Sequence, residues 1–79
     1  MDIKVLGGGC ANCKKLEENV RKALAETGRE ATVEKVTDLP TIMGYGVMMT
    51  PALVVNGEVK LAGKVPTVAQ LKEMIGAWQ

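Results

Sequence analysis

A chain of 79 residues hides only about 60% of the surface its unfolded form exposes, so it has room for a single domain, residues 1–79, with a small core. Ten Lys plus Arg against nine Asp plus Glu leave a net charge of +1, and Tyr45 and Trp78 are the only aromatics. That balance lacks the basic excess and the stacking surface that nucleic acid binding needs, and the absence of His removes imidazole catalysis and His-ligated metals.

Residues 2 to 6 place Ile3 and Val5 on one face and run at once into Gly7-Gly8-Gly9, which predicts a short strand delivering the chain into a tight loop. From Ala11 to Thr27, Leu16, Val20, Ala23 and Leu24 fall at i, i+4, i+7 and i+8, the stripe of an amphipathic helix. Glu17 with Arg21 and Glu18 with Lys22 are spaced as i,i+4 pairs on its wet side, and Gly28 suits a C-cap. Ala31 to Val36 is a weaker strand with imperfect alternation, as expected at a sheet edge. Asp38 can cap a brief helix from about Leu39 to Tyr45 that tolerates Pro40 in its first turn.

Thr50-Pro51 then leads into Ala52-Leu53-Val54-Val55, an unbroken apolar run typical of a strand buried on both faces. Asn56-Gly57 is a preferred two-residue hairpin turn, and Glu58-Val59-Lys60-Leu61-Ala62 alternates cleanly after it. Thr67 and Gln70 have capping-box spacing ahead of a closing helix whose Val68, Leu71, Ile75 and Trp78 share a face. The order β-α-β-α-β-β-α implies an α/β fold: a parallel crossover followed by an antiparallel hairpin, giving a mixed four-stranded sheet with helices on both faces. Met43, Met48 and Met49 are expected mainly to fill the core, with a pliable contact surface or soft-metal ligation as alternatives.

Cys10 and Cys13 stand in C-x-x-C spacing. On chain-entropy grounds a four-residue ring stabilises by only roughly 2 kcal/mol, against roughly 3 kcal/mol for a 15-residue loop, so the pair is a poor staple. The N-terminal residues lack the basic stretch and long apolar run of a signal peptide, and no apolar run reaches membrane-spanning length. A cytoplasmic, non-membrane protein is expected, and in a reducing compartment such a pair is more often catalytic or metal-binding than structural. A thiol reacts as its thiolate, and the N-terminal boundary of the first helix, with its unpaired N–H groups and positive dipole end, favours that anion on Cys10. Cys10, preceded by glycines, is expected to be the exposed nucleophile, and Cys13, in the first turn, the deeper resolving thiol.

These residues together resemble the thioredoxin-like superfamily, in particular its small, glutaredoxin-sized redox-active disulfide proteins. The resemblance covers nearly the whole chain: the first strand, the loop ending in Cys10-Ala11-Asn12-Cys13, the long helix, and Thr50-Pro51 before Ala52-Leu53-Val54-Val55-Asn56-Gly57-Glu58. It implies a minimal thioredoxin-like fold and a thiol–disulfide oxidoreductase with a redox disulfide between Cys10 and Cys13. It further implies a cis Pro51 beside the cysteine pair, Thr50 offering backbone hydrogen bonds to the substrate, and Gly63 as a small residue flanking the site. Protein disulfides and an electron donor, either a reductase or a low-molecular-weight thiol, are the implied partners. No cofactor or metal is required, and the chain is expected to act as a monomer.

The chain departs from full-length thioredoxins in starting directly on this strand, in having Gly9 before the first cysteine, and in having Ala11-Asn12 between the two. The main rival is a soft-metal carrier, because Gly8-Gly9-Cys10-Ala11-Asn12-Cys13 also resembles heavy-metal-associated copper carriers, where two thiolates hold a monovalent ion. That family has Met where Gly8 stands and ends on a strand. A redox-switch adaptor that changes surface without turnover is a third class.

Overall fold

The computed structural model describes residues 1–7 and 11–78. Ile3 and Val5, two apart, are wholly buried on one face of β1 (Asp2–Leu6), while Leu6 is buried on the other. The strand therefore has cover on both sides. β1 lies between β2 (Thr32–Val36), with which it runs parallel, and β3 (Ala52–Val55), to which it is antiparallel. β4 (Glu58–Ala62) completes a mixed four-stranded sheet of order β2-β1-β3-β4. β3 is wholly apolar and buried, and the two edge strands carry charge, which keeps the open strand edges from pairing with other chains.

Among the described residues three helices cover the sheet. α1 (Ala11–Thr27) and α3 (Val68–Ala77) lie on one face, where Leu16, Val20, Ala23, Leu24, Leu71 and Ile75 pack on Ile3, Val5, Leu53 and Val55. α2 (Leu39–Gly44) lies on the other, and Ile42 is its only buried residue, packed with Leu6, Val36, Val47, Ala52 and Val54. Lys72 on α3 reaches Glu26 on α1 at 3.2 Å, and Arg21 closes the i,i+4 pair with Glu17 at 3.1 Å.

Local chemistry starts and stops these elements. Asp38 caps α2 by accepting from the Thr41 N–H at 3.1 Å. At α3 the capping box is reciprocal: Thr67 Oγ1 accepts from the Gln70 N–H at 3.2 Å, and Gln70 Oε1 accepts from the Thr67 N–H at 3.0 Å. Asn56 and Gly57 both take positive φ, 51° and 84°, as a tight turn between twisted strands requires. Asn56 also ties the hairpin to β1, since its Oδ1 accepts from the Asp2 N–H at 2.8 Å.

Two expectations change. The alternation of β4 does not give a single face: Leu61 packs toward α1 and α3, but Val59 packs toward α2. A bulge between Leu53 and Val54 is the reason, because Leu53 pairs with Leu61 and Val54 with Val59, so the register passes over Lys60 and the side-chain phase flips. The methionines at 43, 48 and 49 are not core. They are 64%, 97% and 62% exposed, because α2 is too short to bury more than Ile42 and the segment after Val47 runs outside the sheet.

Candidate active site

The sheet register assembles the site before any side chain is considered. Val36, Leu6, Ala52 and Ala62 stand side by side on the four strands. One step further along, Gly7, Pro51 and Gly63 therefore lie next to one another at the end of the sheet where β1 and β2 finish. Backbone hydrogen bonds carry the alignment through this row: the Gly7 N–H donates to the Val36 carbonyl at 2.9 Å, and the Gly63 N–H donates to the Pro51 carbonyl at 2.7 Å. The Thr50–Pro51 peptide bond is cis, with Pro51 buried and Thr50 exposed.

Cys13 meets this row from above. It is the third residue of α1 and continues the buried stripe Leu16, Val20, Ala23 and Leu24 back to the start of the helix, so the periodicity that packs α1 also turns Cys13 inward. It is wholly buried and disulfide-bonded. Cys10, the only other cysteine in the chain, lies outside the described residues, as do Gly8 and Gly9. Lys14 and Lys15 are exposed.

Gly7 is the point at which these pieces touch. Its φ is +149°, and a β-carbon built on it would overlap Cys13 Sγ while lying 3.4 Å from Cys13 Cβ and 3.5 Å from Thr50 Cβ. A missing side chain thus lets β1, the first turn of α1 and the Thr50–Pro51 step close on one another. The sequence singles out three consecutive glycines only as a breaker run; the signal for Gly7 is that it is the first of them, directly after the last strand residue.

Gly63 sits at the outer end of the row. Its φ is +74°, and a β-carbon there would come within 2.8 Å of Met49 Cε and 3.2 Å of Met49 Cβ. Of the sequence-predicted residues, the structure brings Cys13 and Thr50 together through Gly7 and joins Gly63 to Pro51. It adds Gly7 and Met49, which the sequence did not mark for the site. Among the described residues no three His, Cys, Asp or Glu side chains group as metal ligands, and no helix is long and apolar enough to cross a membrane.

The family model described as a thioredoxin domain matches residues 1–76. A thioredoxin of Methanothermobacter thermautotrophicus is 39% identical over 75 residues, a span covering 95% of this chain and 97% of that protein. A thioredoxin of Methanocaldococcus jannaschii is 36% identical over 76 residues, covering 96% of this chain and 87% of that one. A likeness that runs through every strand and helix around the buried Cys13 places the chain in the thioredoxin family, as a thiol–disulfide oxidoreductase.

Proposed function

We propose that the exchange runs through Cys10 and Cys13, with Cys10 as nucleophile and Cys13 as resolving thiol. In the reducing direction the Cys10 thiolate attacks one sulfur of a target disulfide, forming a mixed disulfide and expelling the target's other sulfur as a thiolate, which takes up a proton. Cys13, losing its own proton, then attacks Cys10 Sγ, so that the target leaves with both sulfurs reduced and the two electrons it gained are matched by the new Cys10–Cys13 bond. A donor, either a reductase or a low-molecular-weight thiol, returns the pair to the dithiol. No metal or organic cofactor enters these steps.

The observation that carries this reading is the burial of a disulfide-bonded Cys13 in the first turn of α1, closed against Gly7 and Thr50. A resolving thiol needs shelter from outside attack and a fixed position. In sequence Cys10 immediately precedes the first residue of α1, where the positive end of the helix dipole favours a thiolate. Thr50 is the exposed neighbour of the site, and the family resemblance makes its backbone the platform for a docked target strand, with Pro51 beside it. Gly63 flanks that platform through its hydrogen bond to the Pro51 carbonyl. The chain acts as one domain, monomeric and cytoplasmic, on protein disulfides.

Trapping tests the assignment of roles. Cys13→Ser should accumulate a mixed disulfide with a protein disulfide target, seen as a mass adduct lost on reduction, and Cys10→Ser should not. Equal turnover by both variants and the parent would exclude this mechanism.

A further inference from the structure

The near-equal counts of cations and anions in this chain hide a separation of charge. Among the described residues, ion pairs at 3.1 to 3.4 Å engage Lys4, Arg21, Lys60 and Lys72. Three of the carboxylates that hold them, Asp2, Glu26 and Glu58, lie toward the end of the sheet where β1 begins. The lysines without an ion pair among the described residues are Lys14, Lys15, Lys22, Lys35 and Lys64. Three of these five flank the exchange site at the opposite end. Lys14 and Lys15 follow the buried Cys13 directly, in the first turn of α1, and both are exposed. Lys64, also exposed, follows Gly63, whose N–H donates to the Pro51 carbonyl. The row from Gly7 to Gly63 therefore has lysines above it and beside it. The carboxylates closest to them in chain or space leave this charge standing: Glu17 is bound to Arg21, Glu18 pairs with no lysine, and Asp38 caps α2.

We infer that these lysines form a cationic rim that selects protein targets by charge: exchange favours a disulfide flanked by Asp or Glu, and Lys14, Lys15 and Lys64 are specificity-determining residues. The inference rests on the exchange reading above and adds a substrate class to it. Surface charge around a site raises the encounter rate of oppositely charged partners and turns away like-charged ones. A single exposed lysine about 8 Å from a carboxylate in water gives only about a twofold preference, so a larger one needs several acting together. Such a preference is screened by salt, with a Debye length of about 10 Å at 0.1 M. Nucleic acid, the other polyanion a lysine rim attracts, has no stacking surface here, since Tyr45 and Trp78 are the only aromatics and Trp78 is tied to Arg29 beyond the far end of α1.

The test uses two peptides identical except that aspartate or lysine stands on both sides of their single cysteine, which is disulfide-linked to an uncharged thiol-bearing fluorophore. The full chain is recycled by dithiothreitol, and each rate is divided by that of dithiothreitol alone to remove the peptides' own difference in reactivity. At an ionic strength of about 0.02 M the aspartate peptide should show a kcat/KM about tenfold higher, and at about 0.5 M the ratio should fall to about two. The triple variant Lys14→Gln/Lys15→Gln/Lys64→Gln should bring the low-salt ratio to about two or less while reducing uncharged hydroxyethyl disulfide within about twofold of the parent rate. Lys14→Arg/Lys15→Arg/Lys64→Arg should keep the parent ratio. A parent ratio near one at low salt, a ratio that salt does not lower, or a ratio unchanged in the glutamine variant overturns the inference while leaving the exchange reading intact. So does a glutamine variant that loses hydroxyethyl disulfide and aspartate-peptide turnover by the same factor, since the lysines would then act on the thiols and not on the target. A parent that reduces neither peptide nor hydroxyethyl disulfide overturns the exchange reading itself, and the inference with it.

Discussion

The two faces of the sheet are built to different depths. On the side of α1 and α3, ten buried side chains from four elements form one core, and partly buried residues such as Met74 and Trp78 seal its rim. On the side of α2, six buried residues suffice, and the helix that covers them contributes Ile42 alone. The thick face holds the strands and the first turn of α1, with Cys13, in place. The thin face leaves Leu39, Met43 and Met48 in solvent beside Thr50. Rigidity belongs to the side that positions the sulfur, and exposed, pliable methionines to the side with little helix above it.

The largest expected effects put a number on this contrast. Leu16→Ala removes a wholly buried side chain from the thick core and should cost about 4 kcal/mol, near the top of the range for such truncations. Ile42→Ala should cost about 2 kcal/mol, because a six-residue helix with one anchor can settle into the space it leaves. Urea unfolding of the oxidised protein measures both. If Ile42→Ala proved as costly as Leu16→Ala, the α2 side would be a core of equal rank, and its exposed methionines would need another explanation.

Much of this was legible in the sequence where a single element decides its own geometry. The stripe from Leu16 to Leu24 specified α1 and its buried face, and placing Cys13 in the first turn of that helix, as the deeper thiol, agrees with its burial. Asn56-Gly57 and the Thr67–Gln70 box act within a few residues, so composition and spacing suffice for them. What escaped was decided between elements. The phase flip at Lys60 depends on where β4 meets β3, and nothing in an alternating Glu-Val-Lys-Leu-Ala announces a bulge. Methionine burial depends on how much helix is available to cover it, and hydrophobicity alone assigned at least two of Met43, Met48 and Met49 to a core too small to hold them. The role of Gly7 likewise comes from other elements, since Cys13 Sγ and Thr50 Cβ lie where its side chain would be.

A substitution at Gly7 tests whether the site is as rigid as the thick face beneath it. Gly7→Ala puts a methyl group into Cys13 Sγ at a φ of +149° that L-residues rarely adopt. Neither neighbour can give way easily, since Cys13 belongs to the buried stripe of α1 and the Gly7 N–H is held by the Val36 carbonyl. The expected cost is about 2 kcal/mol of stability in urea, from overpacking and backbone strain together. Turnover should fall as well, because the first turn of α1 must shift to admit the methyl group. Full activity with unchanged stability would mean that Cys13 is loosely held.

Gly63→Ala makes the matching test at the pliable end of the same row and should have the smallest effect. Its φ of +74° carries a cost whatever the surroundings, about 1 kcal/mol for a non-glycine residue in the left-handed region. The contact with Met49 Cε should add little, because it ends a flexible side chain already 62% exposed. If that is correct, pairing Gly63→Ala with Met49→Ala should leave the cost unchanged within about 0.5 kcal/mol, since the backbone term and the 3.2 Å approach of the residue 49 Cβ remain in either background. A clear recovery of stability in the double variant would instead mean that Met49 is fixed over Gly63, and that this end of the row is as firmly packed as the Gly7 end beneath α1.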